Sequence, residues 1–207
     1  MKVVLFNGSP RQEGNTFTAL SEVARTLEAE GIDTEIMQLG NKPVRGCISC
    51  GGCRRSNDGR CAFDDDVCNR LCQAAQGADA FVFGSPVYYG QPNGAMLAIM
   101  QRALFAGGKY FEYKPFATVA VCRRGGATAA FQSMNMACQM MNMPQVTSQY
   151  WNIAYGAAPG EAALDEEGMQ TMRIMGRNMA WMLKGLRGSG SPVHPESEPR
   201  QRTNFIR

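Results

Sequence analysis

Residues 2–16 read Lys2-Val3-Val4-Leu5-Phe6-Asn7-Gly8-Ser9-Pro10-Arg11-Gln12-Glu13-Gly14-Asn15-Thr16. The first six are mostly apolar and predict a short buried strand, and the glycine-bounded stretch that follows predicts a loop. A helix is expected from about Thr16, because Phe17, Leu20, Ala24 and Leu27 recur three and four residues apart before Gly31. This strand, loop and helix form the first unit of an α/β fold.

The same alternation continues along the chain. Further strands are predicted at 34–39, 80–84, 116–122 and about 145–151, and further helices from 64–66 to Gly77, at 95–106, at 128–141 and at 166–183. The stretch from Ser85 to Pro92 contains two prolines and is predicted to be a loop. Apolar strands that alternate with amphipathic helices indicate a parallel sheet covered on both faces, which is a three-layer sandwich.

Composition limits the function classes. The 207 residues suit one domain, and 44% hydrophobic against 19% charged residues provides for a core. The net charge of +3 gives no basic stripe for nucleic acid. The longest apolar runs, 80–83 and 116–122, are far shorter than the ~18 residues of a membrane span. Since the N-terminal apolar run is also too short for a signal peptide, we expect a cytoplasmic protein without membrane or nucleic-acid partners.

The loop after the first strand has the features of a phosphate site. It combines main-chain N–H groups and a helix N-terminus with four polar side chains, those of Ser9, Arg11, Asn15 and Thr16. The spacing from Gly8 to Gly14 fits neither the P-loop nor the dinucleotide pattern, so a single phosphate is favoured. A plain strand-to-helix turn is the alternative.

Two later loops should meet the first at the carboxyl edge of the sheet. Pro86, Val87, Tyr88 and Tyr89 follow the third strand and could stack on a flat heteroaromatic ring, or could be core aromatics beside a turn. After the fourth strand the chain carries two cations and two glycines, which suit an anionic ring edge or a plain surface turn: Arg123, Arg124, Gly125 and Gly126.

Together these loops resemble those of the NAD(P)H-dependent FMN reductases and iron-sulfur flavoproteins of the flavodoxin superfamily. The likeness rests on Gly8 to Arg11 with Gly14 to Thr16, on the cysteine-rich loop before Asp64, on 84–89 and on 123–126. It implies a flavodoxin-like five-stranded parallel sheet of order 2-1-3-4-5. It also implies bound FMN, with its phosphate at Ser9, Arg11, Asn15 and Thr16, its isoalloxazine at 86–89, and the turn 123–126 closing over the ring.

A separate cluster of cysteines follows the second strand. Cys47, Cys50, Cys53 and Cys61 have a spacing that begins like a ferredoxin motif and resembles the four-iron, four-sulfur motif of the iron-sulfur flavoproteins. Free thiols and a zinc site are the alternatives. The remaining cysteines, Cys68, Cys72, Cys122 and Cys138, lie in apolar contexts and are expected to be small buried core residues.

The predicted function is that of an FMN-dependent oxidoreductase. NAD(P)H would reduce the flavin, a small-molecule or protein acceptor would reoxidise it, and Arg123 or Arg124 would stabilise the reduced anion. The alternative is an iron-sulfur flavoprotein that relays single electrons from a ferredoxin-like partner through a 4Fe-4S cluster and FMN. A non-enzymatic zinc or thiol redox-sensing module is a third, from a different class.

The predicted domain covers residues 1–185 and includes the cysteine-rich loop 46–63. Residues 186–207 are rich in glycine, serine, proline and charge, hold the single histidine, His194, and are expected to form an extended tail. We expect this tail to dock on a neighbouring subunit through Phe205 and Ile206. A homodimer or homotetramer would also cover apolar surface on the methionine-rich helices.

Overall fold

A parallel sheet forms the centre of the computed structural model, which describes residues 1–188 and residue 195. Its strands follow the order β2-β1-β3-β5-β6, and the two-residue β4 pairs antiparallel with β3. The expected order of five parallel strands is therefore confirmed, and β4 is a sixth strand added to it. The strands are β1 (Lys2–Asn7), β2 (Asp33–Gln38), β3 (Ala80–Tyr88), β4 (Gln91–Pro92), β5 (Phe116–Cys122) and β6 (Ile153–Tyr155).

Helices cover both faces of the sheet. They are α1 (Asn15–Ala29), α2 (Gly52–Ser56), α3 (Cys68–Gly77), α4 (Gly94–Ala106), α5 (Ala127–Gln139) and α6 (Glu166–Gly188). Side chains alternate across a strand, so Val4 and Phe6 of β1 pack with α3, α4 and α5, whereas Val3 and Leu5 pack with α1 and α6. The two buried clusters make the predicted three layers.

The fifth parallel strand was predicted in the wrong place. Gln145 forms only an isolated bridge with Phe116, and the strand itself begins at Ile153. The hydroxyl of Ser148 donates to the carbonyl oxygen of Tyr150 at 2.5 Å and accepts the N–H of Tyr150 at 3.4 Å. The chain therefore forms a local turn here, although the neighbouring aromatic residues favour a strand. The turn is stabilised by hydrogen bonds between Ser148 and Tyr150, which are only two residues apart.

The stretch from Ser85 to Pro92 is a β-hairpin instead of the predicted loop. Strand β3 continues to Tyr88 and pairs with β4, and the two turn residues are Tyr89 at φ +50° and Gly90 at φ +75°. Positive φ at both central positions is the geometry of a type I′ turn, which matches the twist of the flanking strands. Pro92 lies in β4, a two-residue edge strand, where a missing N–H is tolerated.

Two boundaries also differ from expectation. A short helix, α2, interrupts the cysteine-rich loop, and α6 continues to Gly188, three residues into the segment predicted to be a tail. The predicted docking through Phe205 and Ile206, and His194, lie outside the described residues. Among the helices of residues 1–188, none combines the length and the hydrophobicity of a membrane span.

A buried hydrogen bond ties β5 to α5 and gives a test of the fold. The hydroxyl of Thr118 donates to Oδ1 of Asn135 at 2.5 Å, and both residues are buried. We expect Thr118→Val to lower the free energy of unfolding by about 1–3 kcal/mol, because the Asn135 amide oxygen loses its donor in an apolar environment. Denaturant unfolding measures this loss.

Thr34→Val is the matched control. Its hydroxyl donates to a Glu28 carboxylate oxygen on the surface, where water replaces the lost bond. The control should therefore change stability by no more than about 0.5 kcal/mol. Equal losses in the two variants would contradict the assigned role of the Thr118–Asn135 bond.

Candidate functional site

The carboxyl ends of β1, β3 and β5 lie side by side and present their loops at one edge of the sheet. Strand β1 has β2 on one side and β3 on the other, so the chain reverses its direction of winding between β1 and β3. Ligands in open α/β sheets bind at such a reversal. The loop 8–14, the hairpin tip 89–90 and the turn 123–126 therefore surround the expected site.

The loop after β1 ends at a helix N-terminus that no side chain caps. Gly14 is the N-cap residue of α1 and has no side chain to cap it, and the first turn contains no acidic residue. Ser9 and Thr16 are buried at either side of it, and Arg11 is exposed. The Ser9 hydroxyl oxygen accepts the N–H of Arg11 at 3.1 Å, which curls the loop. The open positive end of the helix dipole suits an anion.

Asn15 binds a fourth loop that the sequence analysis missed. Its Nδ2 donates to the carbonyl oxygen of Ala158 at 2.9 Å, and its Oδ1 accepts the N–H of Ala162 at 3.0 Å. A side chain at Gly156 would meet the Asn15 amide at 2.7 Å, so glycine permits this close packing. The glycine and proline residues that follow β6, at 156, 159 and 160, were the available signal for this loop.

The fourth loop, residues 156–162, is held in shape by one of its own carboxylates. Oε2 of Glu161 accepts the N–H groups of Ala157 and Ala158, both at 2.8 Å. These two hydrogen bonds lower the pKa of Glu161, because they favour its charged form. The loop thus holds its shape against α1 through Asn15 and through Glu161.

The hairpin and the arginine turn touch each other. Gly126 has φ +87°, and a Cβ there would lie 2.7 Å from Cα of Gly90 and 3.2 Å from a methyl group of Val87. Pro86 and Val87 are half-buried, whereas Tyr88 and Tyr89 are exposed, as are Arg123 and Arg124. The structure therefore brings together the two groups of residues that the sequence had predicted around a flat ring.

Asn93 joins this hairpin to the first loop and was not predicted. Its Nδ2 donates to the carbonyl oxygen of Gly8 at 2.8 Å, and its N–H donates to the Ser85 hydroxyl at 2.9 Å. Its Oδ1 accepts the N–H of Ala95 at 3.1 Å and so caps α4. An asparagine before a helical pattern is a cap signal, although nothing in the sequence indicates the bond to Gly8.

The four clustered cysteines line one cavity between their loop and α4. Phe63, Arg102 and Phe105 complete its wall. The loop curls through four residues with positive φ, which are Ser49, Gly51, Asn57 and Gly59. Cys47 and Cys50 are exposed, and Cys53 and Cys61 are half-buried. Within the described part of the chain, no three cysteine, histidine or acidic side chains converge on a point where they could hold one metal ion.

The other four cysteines are buried, as expected for core residues: Cys68, Cys72, Cys122 and Cys138. Burial raises the pKa of the Cys138 thiol and, against hydrogen bonds from the N–H groups of Arg124 and Ala127, that of Cys122. A raised pKa keeps these groups as unreactive thiols.

The sequence is similar to those of one protein family and of several named proteins. The family model described as NADPH-dependent FMN reductase matches residues 1–158. An iron-sulfur flavoprotein of Methanocaldococcus jannaschii is 32% identical over 192 residues, which are 89% of this chain and 98% of that protein. An iron-sulfur flavoprotein of Methanosarcina thermophila is 26% identical over 190 residues, covering 89% and 96% respectively.

Solved structures show the same fold at low sequence identity. RosB with bound 8-demethyl-8-formylriboflavin-5'-phosphate has a TM-score of 0.65 at 15% identity, with 100% of this chain and 92% of that chain covered. A WrbA-like flavodoxin of Agrobacterium tumefaciens has a TM-score of 0.62 at 16% identity, with 89% and 97% covered. The flavodoxin-like fold is thereby confirmed.

Thiol reactivity tests the separation of the eight cysteines into two groups. In native, metal-free, reduced protein at mildly alkaline pH, a chromogenic disulfide reagent should titrate four thiols rapidly and the other four only after unfolding. The reason is that the loop thiols are accessible, whereas the buried ones are shielded and, for Cys122 and Cys138, have raised pKa values.

Two alanine variants serve as controls. Cys47→Ala should reduce the rapid phase by one thiol, and Cys138→Ala should leave it unchanged. Rapid reaction of all eight thiols in the native protein would contradict this division.

Proposed function

The chain belongs to the NADPH-dependent FMN reductase family, and from this premise we propose which residues hold its FMN and by which route electrons enter and leave. It is an FMN-dependent oxidoreductase. The observation that supports the placement of the cofactor is the uncapped N-terminus of α1, which opens between the buried Ser9 and Thr16 beside the hairpin and the arginine turn.

We place the phosphate of FMN in the loop after β1. Ser9 and Thr16 would bond it through their hydroxyl groups, Arg11 through its charge, and the first turn of α1 through N–H groups that include that of Asn15. The Asn15 side chain is held by Ala158 and Ala162. Its contribution is then to fix the fourth loop beside the phosphate.

We place the isoalloxazine beside the hairpin and the arginine turn, which contact each other at Gly90 and Gly126. Pro86 and Val87 offer main-chain groups at the ring edge, and Tyr88 and Tyr89 offer exposed aromatic faces for stacking. Arg123, Arg124 and the N–H groups of Gly125 and Gly126 would stabilise negative charge on the reduced ring. When bound, the flavin supplies hydride and single-electron chemistry, and the protein leaves one ring face accessible to the partner.

We further propose that Cys47, Cys50, Cys53 and Cys61 hold a 4Fe-4S cluster, which would exchange single electrons. Two observations support this assignment. All four thiols line one cavity. In addition, two relatives that this chain matches over nearly their whole length are named iron-sulfur flavoproteins. A zinc or thiol-sensing module is less well supported, because only the first of these observations favours it.

Helix α4 links the two proposed sites. Its capping residue Asn93 bonds Gly8 of the first loop, and Arg102 and Phe105 line the cysteine cavity. At 1.5 Å per residue, Gly94 and Arg102 are separated by about 12 Å along the helix axis. A short distance between the two sites favours electron transfer within one chain, between a redox partner at the cysteine loop and FMN.

The electron donor is tested by anaerobic reduction of the purified protein, with iron analysis on the same sample. If a ferredoxin-like protein is the donor, reduced ferredoxin bleaches both the flavin band and the broad cluster absorbance, and NADPH or NADH leaves the flavin yellow. Flavin bleaching by reduced nicotinamide instead supports NAD(P)H as the donor. A colourless protein with zinc and no flavin would contradict both routes.

Cys53→Ser and Cys138→Ala separate the cluster from the flavin in the same experiment. We expect the first variant to lose iron and to retain FMN, because the two sites use different residues. The second should retain both.

A threonine variant tests the phosphate site. Thr16→Val should weaken FMN binding about ten-fold or more, since a hydrogen bond to a charged group contributes ~1.5–3 kcal/mol. Riboflavin, which lacks the phosphate, should bind this variant and the wild type equally. Flavin fluorescence titration measures both affinities.

Thr26→Val lies on the same helix away from the loop and is the matched control. Its hydroxyl donates to the carbonyl oxygen of Glu22 at 2.8 Å. It should leave the FMN affinity unchanged. An equal loss of FMN and riboflavin affinity in Thr16→Val would contradict the phosphate placement.

A further inference from the structure

Arg102 is a fully buried charge at the wall of the cysteine cavity. Its side chain has no solvent exposure, and it is the largest of the fully buried side chains in the described part of the chain. Arginine is almost never fully buried unless it is paired. It lies on α4, where the sequence pattern gives no reason to place a cation in the core.

The guanidinium connects the segments on both sides of the cysteine loop. Nη1 donates to the carbonyl oxygen of Arg45 at 3.2 Å, ahead of the first cysteine, and Nη2 donates to that of Phe63 at 3.1 Å, after the last. Nε donates to Sγ of Cys61 at 3.2 Å. One side chain therefore closes the loop and also contacts a sulfur atom inside the cavity.

Asp66 compensates the charge of the guanidinium. Its carboxylate accepts a hydrogen bond from Nη1 of Arg102, and its side chain is only 3% exposed. The second oxygen accepts the N–H of Cys68 at 3.0 Å, at the start of α3. Replacing a buried ion pair by apolar residues is often neutral or stabilising, so stability alone does not account for this pair.

We infer that Arg102 and Asp66 are an opposed pair of positioning residues that set the reduction potential of the group bound by the four cysteines. This inference rests on the proposed cluster site. A cation and an N–H···S bond beside a ligand sulfur stabilise the more negative, reduced form. Arg102 therefore raises the potential, and Asp66, which pairs with the guanidinium, lowers it.

Substitutions at the two positions should shift the potential in opposite directions. Arg102→Gln removes the cation, so the oxidised-to-reduced ratio of the cluster at a fixed potential should rise about ten-fold, equivalent to a shift of about 59 mV for one electron. Asp66→Asn keeps an oxygen acceptor for Cys68 and leaves the cation uncompensated. The same ratio should then fall by a similar factor.

The measurement is an anaerobic redox titration of the reconstituted holoprotein, followed by electron paramagnetic resonance and visible absorbance. The flavin couple, read in the same titration, should stay within the error of the wild type, because FMN lies at the other end of α4. Lys184→Gln and Glu30→Gln are the controls. Their ion pair joins α6 to the end of α1 and is exposed, at 48% and 39%, so solvent screens its charges.

The two variants separate a tuning role from a structural one. Loss of structure would disturb the cluster in the same direction in both, whereas tuning gives opposite shifts. If Arg102→Gln does not fold, Asp66→Asn decides alone: an upward shift of the cluster potential supports the inference, and no shift or a downward shift overturns it.

Failure of the underlying assignment has a different signature. A wild-type protein that binds FMN but takes up no iron overturns the cluster site and this inference together. An intact wild-type cluster with unchanged potentials in both variants overturns only the role of Arg102 and Asp66.

Discussion

The close approach of two backbones at Gly8 and Gly84 is the constraint on which the site depends. The N–H of Gly8 donates to the carbonyl oxygen of Gly84 at 2.8 Å, and a Cβ on Gly8 would lie 2.8 Å from that oxygen and 2.7 Å from the Met96 sulfur. Only glycine fits there. The carbonyl group of Gly8 then accepts the Asn93 side chain, which fixes the hairpin and the start of α4 relative to the loop before α1. This one contact region sets the relative positions of the loop, the hairpin and α4, where we place the phosphate and the ring.

Periodicity predicted the elements whose pattern is local. Strands β1 and β5 have the predicted bounds, and the three layers follow from alternating apolar strands and amphipathic helices. The strand order was expected from the resemblance to flavodoxin-like proteins, and the structure has it. The errors arose where side chains override propensity. Ser148 turns the chain inside the expected fifth strand, and the positive φ of Tyr89 and Gly90 makes a hairpin of a stretch whose prolines indicated a loop. Neither the Ser148 hydrogen bonds nor the positive φ values of the hairpin turn produce a periodic hydrophobic pattern that a sequence window can detect.

The same distinction applies to the site. Ser9, Thr16, the hairpin residues and the arginine turn lie at or beyond the carboxyl ends of strands, so topology alone brings them to one edge. Asn93 and Arg102 escaped prediction because their partners lie 85 and 41 residues away in the chain, at Gly8 and Cys61. On an amphipathic helix, Arg102 looks like a surface cation. A buried arginine can be recognised only when its acceptors are known.

Helix α4 also limits how the number of residues between the two proposed redox sites can vary. Asn93 and Arg102 must both face their partners, and each residue added to a helix rotates everything beyond it by about 100°. A single insertion or deletion between them would turn the guanidinium away from Cys61, while Asn93 kept its hydrogen bond to Gly8. The length of this segment is therefore under a rotational constraint, and homologous chains that keep both contacts are expected to tolerate substitutions here but no change in residue number.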